Sequence, residues 1–148
     1  AVGPAGFEPR AFRQKNTWRK QTRRIELSFA PDSDPLVRVL PPESPGKRPA
    51  VPEAMRRESI DPLTAVLAAV SGDASRKPCD FRARVFEGLR RTDVEFTPDG
   101  REKLSDIDVP GAGGEAAVCL MRLKRVAGYE DKAFKDKLDR VYAVELSG

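Results

Sequence analysis

The stretch VFEGLRRTDVEF, residues 85–96, together with the CDFRAR before it, most constrains what this chain can fold into. Apolar and charged side chains alternate along both halves, with Glu87-Gly88 between them. Strand side chains point to opposite faces with a period of two. Folded as a hairpin about Glu87-Gly88, the stretch collects Cys79, Phe81, Ala83, Val85, Thr92, Val94 and Phe96 on one face. The other face collects Asp80, Arg82, Arg84, Arg91, Asp93 and Glu95. One dry and one wet face is what a half-exposed antiparallel sheet requires. A two-residue turn pairs Phe86 with Leu89 and Arg82 with Asp93, a cross-strand ion pair worth up to about 1 kcal/mol. It also sets Arg84 opposite Arg91. Gly accepts positive φ freely, whereas Glu is a weaker turn residue than Asn or Asp.

The remaining pattern is mainly β. Residues 1–16, with Gly3, Pro4, Gly6 and Pro9, read as an irregular lead-in. From Trp18 a strand pattern sets in, with Ile25, Leu27 and Phe29 alternating with polar residues. PDSDP (31–35) is a turn and LVRVL (36–40) a second strand. Residues 41–58 form a Pro-rich loop, because five prolines between 41 and 52 deny the backbone its donors. A single short helix follows at about 62–71. Asp61 is its N-cap, Pro62 its first residue and Gly72 its stop. Leu63, Val66, Leu67 and Val70 form one stripe, and Ala65, Ala68 and Ala69 fill the other faces, so the helix is expected to be buried deeply.

TPDGREKL (97–104) reads as a polar turn region. VPGAGGEA (109–116) lacks the Gly-Lys-Ser/Thr ending of a phosphate loop, so Gly111, Gly113 and Gly114 are read as flexible connection. AAVCLMRLKRV (116–126) is a strand with Cys119, Met121 and Leu123 on one face. GYEDKAFKDKLDR is a polar connection. RVYAVELSG is a closing strand, with Tyr142, Val144 and Leu146 on one face and a sheet left incomplete at the C-terminus.

At 148 residues the chain is one domain, 1–148, long enough to bury a core. Its longest apolar run, residues 63–70, is far short of the roughly 18 residues that span a membrane. The opening AVGPAG has no initiator Met and no signal pattern, so a piece of a longer precursor is expected. Histidine is absent, which removes the usual base near neutral pH and the commonest transition-metal ligand. Cys79 and Cys119 are not in a C-x-x-C pair, so no metal and no cofactor is expected. They are either one disulfide or two buried thiols; parity places both on inner faces, within reach of a bond. The basic run KNTWRKQTRR (15–24) is able to meet phosphate on nucleic acid or lipid headgroups. No nucleic-acid signature accompanies it, so it is read as a solvated strand face.

Several motifs in order, P-A-V-P, then S-I-D-P-L-T-A-V-L, Cys79, V-F-E-G-L-R-R-T-D, Cys119 and V-A-G-Y, resemble the proteobacterial family of domain of unknown function 3108. The match runs from about residue 50 to 129, with Glu87 in place of the usual turn Asp. The resemblance implies an exported protein of the periplasm, with a signal peptide upstream and a Cys79–Cys119 disulfide. It also implies a curved antiparallel sheet or open barrel, similar to periplasmic lipoprotein carriers, with the helix near its concave face. No activity comes with it.

Three functions follow for weighing. The first is a non-catalytic envelope protein holding a lipid or other hydrophobic ligand on the concave face. Phe81, Val85, Val94, Phe96, Met121 and Leu123 would line the site, with Leu63 and Leu67 as a plug. The alternative is a structural or interaction module of envelope homeostasis whose Arg82, Arg84 and Arg91 meet a protein partner. A filled interior favours the second and an open one the first. An enzyme is not expected, because Asp80, Asp93 and Glu95 lie on a face open to water and catalytic carboxylates need shifted acidity.

Overall fold

The alternating segments form two antiparallel sheets in the computed structural model, which describes residues 7–30, 33–44, 46, 48–70, 79–103, 114–130 and 137–143. Strands β1 (Ala11–Trp18), β2 (Gln21–Ser28) and β3 (Leu36–Leu40) make the smaller sheet. Strands β4 (Phe81–Phe86), β5 (Arg91–Lys103), β6 (Glu115–Ala127) and β7 (Lys137–Ala143) make the larger, paired in chain order. The protein is mainly β, and the sheets are not closed into a barrel. One helix, α1 (Pro62–Val70), and a 3-10 turn over Glu53–Met55 are the helical elements among the described residues.

The hairpin β4–β5 has the two faces its alternation predicts, but not its turn. Phe81 pairs with Phe96, Arg82 with Glu95, Arg84 with Asp93 and Phe86 with Arg91. The loop therefore holds four residues, Glu87–Arg90, closed by the Glu87 amide donating to the Arg90 carbonyl. This slip of two leaves every side chain on its expected face, because the pleat repeats every two residues. It does change partners: Arg82 bonds Glu95 instead of Asp93, and Arg84 faces Asp93 instead of Arg91. The longer loop lies against the other sheet. Gly88, at φ 103°, lies so close to β2 that a Cβ would stand 2.4 Å from Ile25 Cγ2.

The helix begins as expected and faces the other way. Asp61 Oδ1 accepts from the amides of Leu63 and Thr64, which satisfies two of the free donors at the helix start. Just before it, Ile60 bridges to Val85 beside β4, its amide donating to Arg84 O and its carbonyl accepting from Phe86. This short tether lays α1 across the dry face of the larger sheet. Its alanines, Ala65, Ala68 and Ala69, pack there with Phe81, Val85, Val94, Phe96 and both cysteines. Leu63, Val66 and Leu67 point outward and are 63%, 55% and 51% exposed, so the expected deep burial on all sides is wrong. The alanine set has the same helical spacing as the leucine–valine set. A helix held this close to a sheet seats its small side chains against it. Cys79 and Cys119 form the disulfide, which fastens the chain after α1 to β6.

The smaller sheet covers one end of the opposite, wet face. Phe12, Leu27, Val51 and Phe86 form a second core there, with Val37 and Ala127 against it. The described part of the Pro-rich segment is held by Val51 in this core and by Glu43, which bonds Arg23 and pairs with Arg48. Three further expectations change. The lead-in contains β1, an edge strand whose one buried residue is Phe12 and which therefore shows little period. Residues 97–103 are not a turn: β5 continues through them, with a register shift between Pro98 and Arg101. The polar connection after Tyr129 holds the start of β7. The closing strand is described only to Ala143; Val144, Leu146, Gly72, Gly111, Gly113 and the Tyr142 side chain lie outside the described residues.

Candidate functional site

The wet face of the larger sheet is organised by rungs across three strands. Arg82, Glu95 and Arg122 stand side by side on one rung, and Arg84, Asp93 and Lys124 on the next. Asp93 and Glu95 are thus each flanked by a cation on either side. The third rung, Phe86, Arg91 and Ala127, lies under the smaller sheet. Beyond it the face opens into a groove of about 610 Å³, lined by Glu58, Ile60, Arg82, Ala83, Arg84, Asp93, Val94, Glu95, Arg122 and Lys124.

The groove's charges divide into paired and unpaired sets. Arg82 bonds Glu95 at 2.6 Å, and Arg84 bonds Glu58 at 2.6 Å from the segment that walls the groove. Asp93 is held from beneath by Arg91, whose Nε and Nη2 donate to one oxygen at 2.9 and 2.7 Å. Among the described residues, Arg122 and Lys124 have no carboxylate within ion-pair distance. Four cations against three carboxylates leave the groove net positive, with its free charge on β6. Such a face suits an anionic group better than an apolar one. No group of three or more metal-ligating side chains occurs among the described residues.

The hydrophobic positions expected to line a ligand site are divided by the fold. Phe81, Val85, Val94 and Phe96 are core, and Met121 and Leu123 pack against them partly buried. Leu63 and Leu67 lie on the outer side of α1, exposed and away from this core. Among the arginines, Arg82 and Arg84 line the groove. Arg91 is 6% exposed and turned to internal partners, Asp93 and the Met55 carbonyl at 2.7 Å, so it acts as a strut within the fold. Arg122, Lys124 and Glu58 are site residues that sequence reasoning missed. Parity in β6 had separated Arg122 and Lys124 from its dry face, but their place beside Arg82 and Arg84 needed the register across β5.

The hairpin loop makes a second, structural cluster. Glu87 is largely buried, and burial pushes its carboxyl above the ordinary glutamate range. Arg90, Arg48 and the Arg90 amide oppose that shift, whereas Glu43 adds to it. The guanidinium groups of Arg90 and Arg125 lie over the Tyr129 ring, at 5.6 and 5.4 Å from its centre, and its hydroxyl meets Thr92 Oγ1 at 2.5 Å. Gly128, at φ 79°, lets this corner close: a Cβ there would stand 2.1 Å from the Leu89 carbonyl. The sequence matches the description "Protein of unknown function (DUF3108)" over residues 1–145. The chain belongs to the DUF3108 family. The residues that carry the resemblance, Val51, Phe86, Gly88, Gly128 and Tyr129 at this corner and Asp61, Cys79 and Cys119 around α1, are framework of the DUF3108 fold. No curated protein and no solved structure matches the chain.

Proposed function

We propose that this DUF3108 protein is a non-catalytic module of the bacterial envelope that binds an acidic segment of a protein partner in the charged groove of its larger sheet. The observation that carries this reading is the pair of cation–carboxylate–cation rungs with Arg122 and Lys124 unengaged. Glu95 and Glu58 hold Arg82 and Arg84 in one column, and an incoming carboxylate completes the β6 column of Arg122 and Lys124. The Cys79–Cys119 disulfide supports a periplasmic location, because such bonds persist in oxidising compartments. Photo-crosslinking from position 122 in the exported protein tests the reading. Adducts at 122 and none from position 63 on the outer side of α1 are expected; the reverse pattern overturns it.

A lipid or acyl ligand is the second reading, favoured by one observation: among the described side chains of α1, those in the core on the dry face are alanines. A ligand there requires the helix to lift. Extraction of the purified protein distinguishes the two, since a stoichiometric acyl species is expected only for the second.

A further inference from the structure

The basic run at residues 15–24 plays no part in the groove, and its placement gives it a use of its own. We infer that the β1–β2 hairpin tip docks on an anionic lipid surface, with Trp18 entering the headgroup layer and Lys15, Arg19, Lys20 and Arg24 meeting phosphate. Pairing of β2 with β3 stops at Arg24 and Leu40, so residues 16–23 project as a two-stranded arm. Trp18 lies six residues beyond Phe12, the arm's anchor in the core, or about 20 Å along the strand. It is 76% exposed and touched by the Arg19 guanidinium at 6.0 Å. The run holds no acid. Arg23 pairs with Glu43 at the arm's base, and among the described residues the other four cations have no ion-pair partner.

The turn residues strengthen the case. Arg19 and Lys20 form the two-residue turn with φ of 46° and 66°, an arrangement that backbone sterics reserve for Asn-Gly. The turn sets two cations and the indole at the end of the arm at the expense of local stability. Tryptophan favours the boundary between water and acyl chains, and basic residues beside it favour anionic headgroups. Single-stranded nucleic acid is the poorer fit, because it needs successive aromatic platforms and the arm offers one.

Trp18 is the only tryptophan, so its emission reports on the tip alone. Vesicles of phosphatidylcholine with phosphatidylglycerol should shift that emission to the blue and sediment the protein, and vesicles of phosphatidylcholine alone should do neither. The variant Arg19→Asn/Lys20→Gly removes both cations and relaxes the turn, so it folds. It should lose about thirtyfold in partition coefficient, equivalent to about 1 kcal/mol per basic residue. Trp18→Ala should sediment less with the same vesicles. Equal partition of native protein and the turn variant, no blue shift with anionic vesicles, or a shift seen only with single-stranded DNA would each overturn the inference. Neither variant touches the groove, so their outcomes are independent of the partner reading.

Discussion

Reducing the Cys79–Cys119 bond should destabilise the fold by about 4 kcal/mol. The cysteines are 40 residues apart, and closing a loop of that length removes about 13 cal/mol/K from the unfolded chain in the simple entropy model. At 25 °C that is about 4 kcal/mol, or about 10–15 °C in Tm for a chain of this size. Urea unfolding of oxidised and reduced protein, with identical side chains, isolates the effect from any loss of packing. The structure adds a regional expectation. The Cys79 amide donates to the Ala69 carbonyl, so the bond also holds the end of α1. Amide exchange in α1 should therefore accelerate on reduction before that in β5 or β6. Oxidised and reduced forms that unfold within about 1 kcal/mol of each other would refute the argument, as would uniform acceleration across the larger sheet.

Three further outcomes are expected. Asp61→Ala removes the cap from α1 and should lower stability by about 1–2 kcal/mol in chemical denaturation, with the sheets intact by circular dichroism. Arg91→Ala strips the buried partner from Asp93 and the Met55 carbonyl and should cost about 2 kcal/mol, whereas exposed Arg82→Ala should stay within about 0.5 kcal/mol. Glu87 sets a pH dependence: its folded-state pKa is raised, so its contribution is full below the ordinary glutamate pKa and is lost as pH rises through the raised value. Glu87→Gln should remove that decline, gaining stability relative to native protein above the window and none of that difference below it; a decline that persists in the variant would exclude Glu87 as its source.

The sequence showed faces more plainly than partners. Alternation assigned Phe81, Val94 and Phe96 inward and Arg82, Asp93 and Glu95 outward, and a slip of two in the hairpin could not disturb that. Which cation meets which carboxylate depends on the loop length, and the loop lies with Gly88 against Ile25 in the other sheet. The helix was legible from its cap but not in its orientation, since Leu63–Val66–Leu67 and Ala65–Ala68–Ala69 share one period. Burial of Arg91 was not legible because the smaller sheet covers only its end of the wet face. Long-range packing thus decided where the groove lies, and local pattern decided what lines it.

Isothermal titration of a hexaglutamate peptide into the oxidised protein tests the central claim most directly. Native protein and Arg19→Asn/Lys20→Gly should bind it alike at low salt, with affinity falling as salt rises. Arg122→Gln/Lys124→Gln should abolish the heat without altering the unfolding curve. Binding that survives in the Arg122→Gln/Lys124→Gln variant, or no binding to native protein at low salt, would contradict the groove as an acidic-segment site.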